Sequence, residues 1–275
     1  MQHEVIDGLV LRVRDMGEGN RYLSVLTAEK GRITLLAKGS RSMKGPQMAV
    51  SQLYTYANFE YYRRGDFYIL KGGSSIQSFY ALSADLDRLN LAAYLCDLTA
   101  ELTDEGEPAE SLLRLLLNSL YAISRDLYPQ ELIKGAFELR AAVISGYAPD
   151  LDACAVCATH EQEEVLYLDV MNGALICPTC LGKRSPRAVT PDCDEIREAE
   201  LLCPVSAAVL AAMRYAATAP LERIFSFGLT DGDDLACFAR TAESYILSHL
   251  GRGFESLHFY HTLRESAPTH KGTKS

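Results

Sequence analysis

No apolar run in this 275-residue chain is long enough to cross a bilayer. The longest, such as AAVLAAM and ALIC, fall far short of the roughly 20 residues a spanning helix needs. The N-terminus, MQHEVIDG, lacks a basic segment followed by an apolar core, so no secretory signal is read there and a cytoplasmic location is expected. The short motifs of common chemistries are missing too. There is no G-x-x-x-x-G-K-[ST], which excludes P-loop nucleotide hydrolysis. There is no G-x-S-x-G, no H-E-x-x-H and no dinucleotide fingerprint after a strand, and nothing assembles a nucleophile, a base and an orienting group. Gly72-Gly73-Ser74-Ser75 is glycine-rich, but a β-bulge explains it as well as a phosphate cradle. The expectation is a protein that is not an enzyme.

What is present is ordinary in amount and uneven in placement. Hydrophobic residues make up 48% and charged residues 23%, as in a globular protein. The length exceeds what one core usually organises, so two or three units are expected. The net charge is -9, yet residues 1–80 carry 11 Lys and Arg against 7 Asp and Glu, and the remainder 16 against 29. A basic N-terminal domain on an acidic body suits a polyanion-binding module, although an excess of this size also falls within ordinary scatter.

Residues 4–78 read as strands. VIDGLVLRVRD, RYLSVLTAE, GRITLLAKG, QLYTYANFEYYRR and DFYILKGGSSIQ are rich in β-branched and aromatic residues, and glycine or charge clusters separate them. Leu53, Thr55, Ala57, Phe59 and Tyr61 alternate onto one face of the fourth. About five short strands without a helix predict a small closed barrel, OB-like or SH3-like. From residue 81 the period becomes helical. Leu82, Leu86, Leu89, Ala93, Cys96 and Ala100 form a stripe with Ser83 as a plausible N-cap. Further helices are expected at about 110–125, after Pro129, and at about 204–217 and 233–249, with stops at Gly146 and Gly251 and caps among Thr230, Asp231 and Asp233. The polar C-terminus is expected to be partly disordered.

Eight cysteines are present, four of them in two Cys-x-x-Cys pairs, Cys154/Cys157 and Cys177/Cys180. Nineteen residues lie between the pairs, enough for a hairpin turning at Met171-Asn172-Gly173, where Asn-Gly favours a type I′ turn. Each knuckle aims two sulfurs at one point, so the four thiolates are expected to close a tetrahedron on one structural Zn²⁺. Such a site has no vacant position for water and argues for structure rather than catalysis. The other possibility is a cluster that keeps its cysteines without metal. His160 is the nearby competitor, Cys96, Cys193, Cys203 and Cys237 have no partner at a ligand spacing, and His258 and His261 lack further ligands.

The barrel's cations are the second constellation. LLAKGSRSMKGP, residues 35–46, places Lys38, Arg41 and Lys44 among small residues with no acid between them. Arg12 and Arg14 end the first strand, Arg21 begins the second, Arg32 begins the third, and Arg63 and Arg64 end the fourth. Such cations suit a phosphate backbone, each contact releasing counterions. Tyr54, Tyr56 and Tyr62 would share a face of the fourth strand and either stack on unpaired bases or pack the barrel. Taken singly, each arginine is also explained as a solvated strand end.

Three stretches resemble the RecO family of recombination mediators. They are GLVLRVRDMGEGNRYLSVLTAEKGRITLLAKGSR (8–41), FELRAAVISGYAPDLDACAVC (137–157) and CPTC (177–180). The resemblance implies an α+β multidomain fold: an N-terminal five-stranded OB-fold barrel at 1–80, an α-helical domain at 81–149 and 183–252 with a four-cysteine zinc-ribbon-like insertion at 150–182, and a C-terminal tail at 253–275. It also implies binding to single- and double-stranded DNA, annealing of complementary strands, and a location at the nucleoid. The implied partners are RecR, RecF and, indirectly, RecA on DNA coated with single-strand-binding protein. That protein's C-terminal tail docks on the helical domain of some members, through arginines where this chain has Gly135 and Ala136. No tail-binding residues are therefore assigned here. Glu255 likewise stands where the family usually has lysine. Competing readings are a protein–protein adaptor that does not touch DNA directly, and an enzyme with an unrecognised site.

Overall fold

The computed structural model describes residues 3–40, 47–65, 67–159, 165–183 and 202–266. Arg41, Lys44, His160 and Cys193 lie outside them, as does the end of the expected tail. The chain divides into two compact units, residues 1–126 with 254–275, and residues 127–253. Reading the sequence put a boundary at 80/81. In the structure, the two helices that follow the barrel and the last helix group with the barrel instead.

The first unit begins with β1 (His3–Met16), β2 (Asn20–Thr27), β3 (Gly31–Ala37), β4 (Thr55–Arg64) and β5 (Phe67–Ser78). They close a barrel in the order β1-β2-β3-β5-β4. β3 pairs with β5 in parallel at Leu35↔Tyr68 and Leu36↔Ile69, and the other pairings are antiparallel. This is the OB arrangement, and it decides between the two barrel types. Strict alternation builds the interior: Thr55, Ala57, Phe59 and Tyr61 of β4 are buried, while Tyr56, Asn58, Glu60 and Tyr62 between them are half-buried. Val10, Leu23, Val25, Ile33, Leu35 and Phe59 fill the centre. Gly72–Ser75 lie within β5, between two slips in its register with β4, and a Cβ at Gly73 would meet Asn58 O at 2.3 Å. Strand pairing and close backbone approach account for these glycines.

Residues 80–84 form a 3-10 turn in which Ser83 Oγ donates to Tyr80 O, so Ser83 does not cap the next helix. Asp85 does, accepting from Arg88 N, and α1 spans Leu86–Glu101. Of the expected stripe, Leu82, Cys96 and Ala100 are buried, Leu89 and Ala93 are half-buried and Leu86 is exposed, while Leu91, Tyr94, Leu95 and Leu98 extend the burial round the helix. α2 (Glu110–Arg125) buries Leu112, Leu113, Leu116, Leu120 and Ile123 as its pattern predicts. The α1–α2 connection is fastened to the β2–β3 turn: Gly106 N donates to Lys30 O and Arg32 N to Asp104 O. That approach requires Gly31, which has φ +60° and would place a Cβ 2.1 Å from Asp104 O.

The second unit contains α3 (Gln130–Ile144), β6 (Asp150–Cys154), β7 (Val165–Asp169), β8 (Ala174–Ile176), α4 (Pro178–Lys183), β9 (Leu202–Ser206), α5 (Ala207–Thr218) and α6 (Gly232–Leu250). Pro129 precedes α3, Asp231 caps α6 by accepting from Asp233 N, and Gly251 ends α6 with φ +63°. α3 packs on α6, where Lys134 is buried between Glu138 at 3.0 Å and Glu243 at 2.5 Å. The sheet order is β6-β8-β7-β9. β9 was not foreseen; it carries Pro204 and is an edge strand, where a missing N–H is tolerated. The β7–β8 loop is also not the expected type I′ turn. Gly173 has positive φ but Asn172 does not, because Asn172 N and Nδ2 instead donate to the Asp169 carboxylate.

The first unit is completed by α7 (Glu255–Ser266), which packs on α1. This helix occupies part of the segment read as a tail from residue 253. Leu257 and Tyr260 are buried in it, as is Phe254 just before it, whose ring lies edge-on to Tyr94 at 5.7 Å. Among the described residues, no helix is long and apolar enough to cross a membrane.

Candidate metal centre and nucleic-acid interface

Two tight turns and one hairpin make the cysteine site. Ala158 N donates to Cys154 O and Cys154 N to Thr159 O, with Ala158 at φ +56°, which folds residues 154–158 into a knuckle. β8 then returns beside β6 and β7 and delivers Cys177, with Cys180 in the short α4. The four sulfurs all lie within 4.8 Å of one another. Cys157 Sγ and Cys177 Sγ are 3.7 Å apart. A tetrahedron with Zn–S bonds of about 2.3 Å has edges of about 3.8 Å, so the donor set and its spacing fit zinc.

The backbone is arranged for thiolates. Cys177 N donates to Cys154 Sγ at 3.3 Å and Cys180 N to Cys177 Sγ at 3.4 Å. Burial pushes the Cys154 thiol up, but the N–H groups of Cys177, Cys157 and Val156 outweigh it and bring it down to about 6. Cys180 moves the other way, to about 12, pushed up by its hydrogen bonds with the Cys157 and Cys177 sulfurs. Cys154, Cys177 and Cys180 are buried and Cys157 is exposed.

The barrel's outer face holds a cleft of about 720 Å³. Strand register sets its floor: Arg14 of β1 is opposite Tyr22 of β2, Arg12 is opposite Ser24, and Ser24 is opposite Thr34 of β3. Arg32 lines one side, and Ala93 and Asp97 of α1 form a wall. Arg12 bonds the Asp97 carboxylate, Arg32 Nε donates to Thr103 O at 3.2 Å, and Arg14 is exposed. Ser24 Oγ is buried with no hydrogen-bond partner. Three guanidiniums against one carboxylate leave the cleft positive.

The structure divides the nine cations singled out in the sequence. Arg12, Arg14 and Arg32 meet in the cleft. Arg21 lies at the adjoining end of β2, paired with Asp15 at 3.1 Å, and opposite Ala37, which precedes the exposed Lys38. Arg41 and Lys44 lie outside the described residues. Arg63 and Arg64 are not brought to this group. They follow Tyr62, which pairs with His3 at the start of β1, whereas Arg12 and Arg14 are near its end. Tyr54 does not share the outer face of β4: it precedes that strand with φ +58° and is largely buried, lining the cleft instead. Tyr56 and Tyr62 do share the outer face of β4. Tyr22, Ser24 and Asp97 were missed. The alternation of RYLSVLT, with Leu23 and Val25 inside, was the signal for Tyr22 and Ser24.

A closed OB barrel with a positive, tyrosine-bearing cleft, joined in one chain to a cluster of four cysteines, defines an OB-fold protein with a site able to hold a metal ion. Residues 1–79 match the family model "Recombination protein O N terminal", and residues 83–258 match "Recombination protein O C terminal". The chain belongs to the RecO family. It is 28% identical over 266 residues to the DNA repair protein RecO of Acetivibrio thermocellus, covering 96% of this chain and 98% of that one. Identity to the DNA repair protein RecO of Pelotomaculum thermopropionicum is 31% over 201 residues, covering 73% of this chain and 77% of that one. The DNA repair protein RecO of Halalkalibacterium halodurans is 30% identical over 177 residues, covering 64% of this chain and 68% of that one.

Proposed function

We propose that this protein acts in DNA repair as a non-enzymatic mediator that binds single- and double-stranded DNA through the outer-face cleft of its barrel. The observation that carries the reading is the register that lines Arg12, Arg14 and Tyr22 along one face beside Arg32. The guanidiniums take phosphates without reading sequence. Tyr22 offers a ring on which an unpaired base stacks. With Lys38 immediately after β3, and Arg41 and Lys44 following it in the chain, the cations lower the repulsion between two backbones so that complementary strands pair. The role in which this activity serves is the RecF pathway of recombinational repair, in the cytoplasm at the nucleoid. There the protein, with RecR and RecF, would help load RecA onto DNA coated with single-strand-binding protein.

Cys154, Cys157, Cys177 and Cys180 would hold one Zn²⁺, which supplies cross-linking of the two knuckles and no open position for chemistry. The chain's own part is to aim the sulfurs and to stabilise thiolates by backbone donors.

An annealing assay tests the reading. Complementary labelled oligonucleotides should pair faster with the protein present, and Arg14→Ala with Lys38→Ala should slow that pairing. Equal rates with and without wild-type protein would count against it.

A further inference from the structure

Asp97 is the acid that faces the arginines of the cleft, and it is held from two sides. Its Oδ1 accepts from Arg12 Nε at 2.9 Å and Nη2 at 2.6 Å. Its Oδ2 accepts from Ser256 Oγ at 2.8 Å, in the first turn of α7. The Arg12 side chain is 58% exposed and that of Asp97 only 26%. The anion is therefore the recessed, fixed partner, and the cation is the one that reaches solvent. Nε and Nη2 present an edge that a phosphate oxygen would also take. Among the described residues, Arg12 has no other ion pair. An ion pair this exposed is weak enough to be exchanged.

We propose that Asp97 is an internal counter-anion of the binding cleft. It occupies the edge of Arg12 that a backbone phosphate would take, so nucleic acid binds by exchanging a carboxylate for a phosphate. This rests on the cleft being the nucleic-acid interface. The consequence is an affinity set below what the arginines alone would give, which lets paired strands leave. Because Ser256 fixes the other carboxylate oxygen, the strength of the latch depends on the docking of α7 against α1.

The test is anisotropy of a labelled single-stranded oligonucleotide with the full chain at fixed salt and across a salt series. Asp97→Asn should tighten binding about two- to five-fold. It should also steepen the logarithmic salt slope, by up to about 0.7, because the phosphate contact of Arg12 is no longer offset by a freed carboxylate. Arg12→Ala should weaken binding in both backgrounds, and more in the Asp97→Asn background, where it should cancel the gain. Ser256→Ala, which frees one carboxylate oxygen, should tighten binding less and in the same direction; it serves where Asp97→Asn fails to fold by circular dichroism. Arg14→Ala reports on the cleft itself. If Arg14→Ala weakens binding while neither Asp97→Asn nor Ser256→Ala tightens it, the counter-anion proposal is overturned and the interface stands. If Asp97→Asn weakens binding, Asp97 positions Arg12 for phosphate and the proposal is equally overturned. If wild type does not bind, the interface fails and the proposal falls with it.

Discussion

Arg14 of β1 lies directly opposite Tyr22 of β2, a cation and a ring side by side on the outer face of the barrel. The two are expected to separate in their effects. Arg14→Ala should weaken single-stranded DNA binding similarly for all sequences and reduce the salt slope by about 0.7. Tyr22→Ala should cost about 1–3 kcal/mol, the worth of one stacked base, and leave the slope unchanged. Anisotropy over a salt series reads both.

The segment that follows β3, residues 38–46, is expected to add to the same surface. Lys38→Ala, Arg41→Ala and Lys44→Ala together should weaken binding without regard to sequence. Unchanged affinity in the triple variant would remove the loop from the interface.

For the cysteine site, elemental analysis of protein purified without chelators should give one zinc per chain. Cys154→Ala should lower the melting temperature and lose the metal, with DNA affinity much less affected. Because thiolates must be free of protons to bind metal, zinc affinity should fall as pH falls. Absence of zinc in the wild-type protein would contradict the assignment.

Lys134 is buried against Glu138 and Glu243. Burial disfavours its charge, yet the two carboxylates outweigh that and raise its pKa. Lys134→Met would leave two carboxylates without their cation, and a loss of about 3–5 kcal/mol in urea unfolding is expected. A change below about 1 kcal/mol would show that the cluster relaxes into water.

Glu4 is held below its ordinary value of 4.5 by hydrogen bonds from Lys30 first and Tyr61 second. A carboxylate depressed in the folded state stabilises above its unfolded pKa, and that contribution is lost as pH falls through the folded value. Glu4→Gln should therefore lower stability near neutral pH slightly and flatten its decline below about pH 4.5. Thermal melts from neutral to acid pH check this, and an unchanged acid limb would contradict it.

What the sequence made legible follows from regular periods. Alternation located the strands because each barrel strand has one dry face, and Leu112, Leu116 and Leu120 located α2 because one face of that helix is buried. α1 misled because it is buried nearly all round, which blurs the stripe and left Leu86 on the wrong side. α7 was missed because ESLHFYHTLRES is mostly polar, although Phe254, Leu257 and Tyr260 recur every three residues. The Asn-Gly signal failed where Asp169 captured the asparagine.

The site was legible only by parts. Two Cys-x-x-Cys pairs announce their chemistry because spacing fixes where the sulfurs point. The arginines do not, since the end of a strand on which each sits decides whether it meets the others. Arg12 and Arg32 converge through β2, which lies between their strands, while Arg63 and Arg64 sit near the other end of β1. Asp97 was invisible because its relation to Arg12 spans 85 residues and depends on how α1 docks.

The central claim is direct contact between the barrel's cleft and DNA. It is tested most directly by anisotropy of labelled single-stranded DNA with purified protein from about 50 to 200 mM salt. The account predicts binding at low salt that falls by an order of magnitude or more across the series, as several phosphate contacts require. No binding at the lowest salt would contradict it and leave the barrel as a surface for protein partners.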